Sequence, residues 1–151
     1  IIKKANKMEN QKEKQIKRRV RNGVIFLSIG LIIFLIGIKP SLFRLDRSPV
    51  IGFVQIAVFL IGLAGICLGA YLTINALWNG KQRSIIADIG FRLVSTGYVV
   101  AALSGMADVF GIGSHRFPAV PYFGHVQAIG VILGQVTILI GIIMMIPYSN
   151  E

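Results

Sequence analysis

The sequence predicts an all-α integral membrane protein with four transmembrane helices, arranged as two tandem, same-direction helical hairpins with a pseudo-twofold axis along the membrane normal. Three observations predict it. Of the 151 residues, 54% are hydrophobic and only 15% charged. The apolar residues fall into four runs, each too long for a small water-soluble core to hide. The runs also repeat, in order, at nearly constant offsets. Composition and run length together exclude a disordered chain and a soluble nucleic-acid-binding domain.

The first run extends from about Asn22 to Ile38, between Arg21 and Lys39. At about 1.5 Å per residue it barely crosses a hydrocarbon core of about 30 Å, so flanking residues must contribute. The second, Val50 to Trp78, is long enough to cross with tilt or to begin in the headgroup layer. The third runs from about Ile85 to Val109, and the fourth from about Phe123 to Ile146, where Pro147 ends it. None alternates with period two and each is about twice the length of a membrane β-strand, so helices are expected. The chain thus divides into a basic N-terminal segment (1–21), a first transmembrane hairpin (22–78), a connection (79–84) and a second hairpin (85–151).

Orientation follows from the basic residues. Nine of the 16 Lys and Arg precede the first run, from Lys3 to Arg21; Lys81, Arg83 and Arg92 lie on the same side. The opposite face holds Lys39, Arg44, Arg47 and Arg116. Twelve against four predicts cytoplasmic N- and C-termini, with the plasma membrane as the expected location. Trp78 and Tyr148 then belong to the inner aromatic belt and Tyr122 to the outer one. The chain opens on Ile1, which reads as a processed or partial product with Met8 a candidate start. Its polar beginning does not read as a secretory signal.

The basic segment is expected to set topology and to touch anionic lipid as a solvated or surface-lying helix. A protein-docking arm ranks second. Nucleic-acid binding is not expected, because no aromatic residue is interleaved with the basic ones to stack on bases. Cys67 stands alone in an apolar run and reads as a lipid- or core-facing thiol.

The duplication is the most specific sequence signal. At an offset of 72, Arg44, Pro49, Gly52, Val54, Gln55, Gly62, Ile66 and Gly69 coincide with Arg116, Pro121, Gly124, Val126, Gln127, Gly134, Ile138 and Gly141. At an offset of 67, Gly23, Ser28 and Gly30 fall on Gly90, Ser95 and Gly97. The difference of five is an insertion in the second outer loop, around Gly111 to His115. An even number of spans per copy makes both copies enter the membrane in the same direction, which is why the symmetry axis is expected along the normal.

Glycine recurs every seven residues, at Gly23, Gly30 and Gly37, at Gly62 and Gly69, at Gly90 and Gly97, and at Gly134 and Gly141. Seven residues are nearly two helical turns, so each set forms a stripe on which another backbone can approach. Gln55 and Gln127 share faces with these stripes and are expected to hydrogen-bond to one another near the pseudo-axis. A ligand held between the two amides is the sharper alternative.

On the third run, Asp88, Arg92, Ser95 and Val99 share one face and Gly90, Gly97, Ser104 and Asp108 the opposite one. Asp88 and Arg92 have the favourable acid-before-base spacing of four and are expected to pair near the inner boundary. In the outer loop, Asp108 is expected to pair with Arg116, leaving His115 and His125 at the headgroup boundary. A zinc or copper site from Asp108, His115 and His125 is the weaker alternative. Arg44 and Arg116 each precede a proline-initiated helix, an arrangement that suits headgroup phosphates or another anion.

Function is less legible than architecture. The expected role is a structural or accessory subunit of a membrane assembly, either a homo-oligomer or part of a larger complex. The alternative is a small channel, transporter or lipid- or anion-binding protein using the polar face of the third helix. No enzyme and no cofactor are expected, since Asp88 and Asp108 lie on opposite faces and about 30 Å apart along the helix. The expected partners are membrane lipids, with anionic lipid at the basic N-terminus, and other copies or other membrane subunits.

Overall fold

Long apolar runs flanked by caps and breakers settle into helices, because a backbone inside lipid must satisfy its own hydrogen bonds. A computed structural model describes residues 2–39, 52–112 and 124–148. These form four helices: α1 (Ile2–Ile38), α2 (Phe53–Leu77), α3 (Ile85–Gly105) and α4 (His125–Met145). All four are long and apolar enough to cross a membrane. The described residues include no strand. The chain is an integral membrane protein by this measure: α3 and α4, at 21 residues each, match a hydrocarbon core of about 30 Å.

The helix ends have local causes. Ser84 caps α3, its hydroxyl accepting from the Ala87 N–H at 3.2 Å. Before it, Asn79 and Gly80 both take positive φ, 48° and 76°, and so turn the chain within a few residues of α2. Residues 106–111 fold into turns rather than helix, so α3 ends before Val109, the expected end of the third run. Ile146 is extended (ψ 130°), as the residue before a proline prefers, and α4 stops there.

One boundary differs greatly from the hydropathy reading. α1 does not begin near Asn22 but runs unbroken from Ile2 through 37 residues. Hydropathy falls at Arg21, yet helix propensity does not. Lys, Glu, Gln, Arg and Ala are good helix formers, and neither Gly nor Pro occurs before Gly23.

Glycine decides which helices touch. α1 packs along α2 in the opposite direction: Gly23 lies against Thr73, Gly30 against Gly65 and Ile66, and Gly37 against Phe59. From the other side, Gly62 meets Phe34 and Gly69 meets Leu27. α3 packs along α4 in the same manner, Gly90 against Gly141 and Met145, and Gly97 against Gly134 and Ile138. These approaches are of backbone to backbone. A Cβ added to Gly97 would stand 2.6 Å from the Gly134 carbonyl oxygen, and one added to Gly134 would stand 2.6 Å from that of Gly97. Without a hydrophobic driving force between helices in lipid, such contact is what dispersion attraction requires.

The core is small. Leu63, Ile74, Val94, Ala101, Ile138 and Met145 are buried together, with Phe34, Phe59, Tyr71, Trp78 and Tyr98 packed around them. Large apolar residues such as Ile85, Ile132 and Leu139 face outward. On a soluble domain this would invite aggregation, whereas on a membrane protein it is the lipid-facing surface.

Besides this shared core, polar and aromatic contacts among the described residues tie the α1–α2 pair to the α3–α4 pair. The Tyr98 hydroxyl donates to the Leu60 carbonyl at 3.4 Å, Tyr71 and Phe91 stack with ring centroids 5.0 Å apart, and Trp78 Nε1 donates to the Met145 carbonyl at 3.0 Å. The last is economical: the Met145 carbonyl belongs to the final turn of α4, where no intrahelical donor remains.

Candidate functional site

Among the described residues, the polar positions singled out from the sequence do not converge on one centre. Gln127 is the third residue of α4, 5% exposed, and its side-chain oxygen accepts from the Gly124 N–H at 2.8 Å. It therefore caps its own helix, and the expected hydrogen bond to Gln55 is not formed. The physical reason is proximity: a glutamine three residues past the cap reaches back to an otherwise orphaned amide without ordering a second helix. The Gly-x-Val-Gln motif is thus a helix-start motif, and its three-residue spacing was the available signal. The other side-chain atom, Nε2, is buried without a partner among the described residues.

Gln55 occupies the same place in α2, two residues after Phe53, but makes no side-chain cap bond. It instead lines a cavity of about 290 Å³ with Gln135, between walls formed by Phe59, Gly105, Val131 and Ile132. Gln135 was not singled out from the sequence, because it is an isolated amide in an apolar run. At an offset of 72 its counterpart is Leu63, so the repeat did not flag it.

Asp88 and Arg92 pair as expected, with Oδ2 and Nη2 3.5 Å apart. Both side chains remain open, 54% and 79% exposed respectively. Ser95 and Thr96 continue this exposed face, their hydroxyls donating to the Phe91 and Arg92 carbonyls of the preceding turn. Gly90, Val94, Gly97 and Ala101 line the buried face. The two sides of α3 are therefore chemically distinct, and α4 covers only the glycine side.

Asp108 lies in the turn after α3, and its Oδ1 is buried without a partner among the described residues. His125 opens α4 and is exposed. Arg44, Arg116, His115 and Tyr122 lie outside the described residues, and with them the expected Asp108–Arg116 pair and the histidine metal alternative. No group of three or more His, Cys, Asp or Glu poised to hold a metal occurs among the described residues.

At the other end of the molecule, Arg83 stacks over the Tyr71 ring at 5.7 Å. Lys12, Gln15 and Arg19 of α1 face Asn75, Asn79 and Gly80 across a hollow of about 320 Å³. No protein-family model, curated protein or solved structure matches this chain.

Proposed function

We propose that the chain is a structural or accessory subunit of a membrane assembly, built as two tandem, same-direction hairpins, with both termini in the cytoplasm and the plasma membrane as its location. It is not an enzyme in this reading and uses no cofactor. The observation that carries it is the uncovered polar face of α3. Charged and hydroxyl side chains within spans turn toward protein or water rather than acyl chains. Asp88, Arg92, Ser95 and Thr96 are all exposed on the single chain. A neighbouring subunit, either another copy or a different membrane protein, would cover this face.

The hairpin repeat has independent support in the packing. Under the offsets of 67 and 72, the contact of Gly62 with Phe34 maps onto that of Gly134 with Ala101. Gly69 with Leu27 maps onto Gly141 with Val94, and Gly30 with Ile66 onto Gly97 with Ile138. Equivalent residues making equivalent contacts are what a duplicated hairpin would retain.

Native mass spectrometry after gentle detergent extraction tests the assembly. A defined oligomer or unrelated co-purifying subunits are expected, and a lone monomer would overturn the reading. Arg92→Ala strands a carboxylate at the interface and should lower the assembled fraction, whereas Asp88→Ala with Arg92→Ala should recover much of it. Ion and solute flux in liposomes should be unchanged by either. Flux that depends on Arg92 in well-assembled protein would favour the channel or transporter alternative.

Orientation has its own measurement. With Cys67→Ser as background, cysteines introduced near Ser48 and Ser114 should react with an impermeant external reagent, and those at Met8 and Gly80 should not. External labelling at Gly80 would invert the topology and separate the hairpins.

A further inference from the structure

The unbroken α1 places the nine N-terminal cations at very different heights above the membrane. Gly23 lies against Thr73, one turn before the end of α2, and marks the edge of the apolar bundle. Arg19 follows by about 6 Å along the helix and Lys12 by about 16 Å, while Lys7 is about 24 Å away and Lys3 farther still. The headgroup layer beyond each hydrocarbon edge is only about 5 to 8 Å deep. With a Debye length of about 8 Å at physiological salt, Lys3, Lys4 and Lys7 stand too far out to gain from their own bilayer. A helix that continues unbroken out of its span leads away from the surface, so generic contact along the whole basic segment is not what this geometry supplies.

Arg19 is at phosphate height, and Lys12 stands about 10 Å farther out on the same face of the helix. Both line the hollow at the foot of α1, with the carboxamides of Gln15, Asn75 and Asn79 and the Gly80 backbone opposite. No acid lines it. Glu9 and Glu13 line an adjoining hollow that shares Lys12, Ile16 and Asn79 with this one, and Glu13 is held by Lys17 at 2.8 Å. Two cations and three amides without a carboxylate form a donor-rich surface suited to phosphate oxygens.

We propose that this hollow binds the headgroup phosphate of an anionic phospholipid from the leaflet facing the basic helix. The proposal rests on the reading that the N-terminal segment engages anionic lipid, and narrows it to Lys12 and Arg19, with Asn75 and Asn79 as neutral donors. Trp78 is the single tryptophan of the chain; its indole is directed to Met145 of α4, at the same end of the bundle as the hollow, so its fluorescence reports lipid gathered at that end.

The test uses the full chain in phosphatidylcholine nanodiscs doped with phosphatidylglycerol brominated near the top of its acyl chains. Trp78 should be quenched more by brominated phosphatidylglycerol than by an equal amount of brominated phosphatidylcholine. The Lys12→Gln and Arg19→Gln double variant should weaken that preference by about tenfold. The Lys3→Gln, Lys4→Gln and Lys7→Gln triple variant removes more charge and should leave it unchanged. Inorganic phosphate should not compete. Equal loss in both variants would overturn the site while leaving general attraction to anionic lipid standing, and no preference in the unaltered protein would overturn both. Competition by inorganic phosphate would make the hollow a free-phosphate site and overturn the lipid assignment. All five side chains are exposed, so helical content by circular dichroism should match across the variants.

Discussion

Replacing Gly97 by alanine should force α3 and α4 apart and produce a large loss of stability for a single added methyl. The new Cβ would meet the Gly134 carbonyl oxygen at 2.6 Å and the Ile138 amide nitrogen at 2.9 Å. Both are backbone atoms, so no rotamer change relieves the clash. Intrinsic helix propensity favours alanine over glycine by about 0.8 to 1 kcal/mol, while overpacking costs about 1 to 3 kcal/mol. The clash should win. Gly105→Ala is the matched control, since its Cβ would find Ile56 Cγ2 at 3.5 Å and Val131 Cγ2 at 3.7 Å, which is ordinary contact. Thermal unfolding in detergent should place Gly97→Ala well below the unaltered protein and Gly105→Ala level with it or slightly above. Equal stability of the two variants would show that the glycine stripe of α3 does not face α4.

The second large effect is expected at Trp78. Its ring packs on the core cluster and its indole N–H satisfies the Met145 carbonyl at 3.0 Å, joining the end of α2 to the end of α4. Full truncation of a buried tryptophan costs about 3 to 5 kcal/mol, and partial burial here brings the expected cost of Trp78→Ala to about 2 to 3 kcal/mol. Trp78→Phe keeps most of the bulk and loses the hydrogen bond, for about 1 kcal/mol. The readout is proteolysis of the 79–84 connection together with thermal unfolding. Trp78→Ala should expose the connection to cleavage at temperatures where Trp78→Phe still protects it. If Trp78→Phe is as damaging as Trp78→Ala, the hydrogen bond outweighs packing, contrary to this account.

Much of the architecture is legible in local pattern. Run length and hydropathy mark α2, α3 and α4 to within a few residues, because a lipid environment demands an apolar helix of nearly fixed length. The seven-residue glycine spacing identifies the packing face of every helix, and Asp88 with Arg92 is readable from their separation alone. A helix is expected in the basic segment, but its continuity with the first span is not legible in hydropathy, which reports where a helix enters lipid, whereas helix propensity decides where it begins. For Gln127 the sequence shows the buried face but not the partner, since a face is a matter of angle but a hydrogen bond is decided by distance.

What the sequence by itself determined is what each segment needs: lipid around four helices, a close neighbour along each glycine stripe, a counter-ion for Asp88. Tertiary structure alone decided which group meets each need. It set Gly97 against Gly134, gave the Met145 carbonyl to Trp78, and brought Gln135 beside Gln55 and Lys12 beside Asn79. The physical reason is that periodicity and propensity act over one or two helical turns, while these partners are tens of residues apart in the chain. Backbones that come within van der Waals contact fix the register between two helices, and that register determines which distant side chains come within reach.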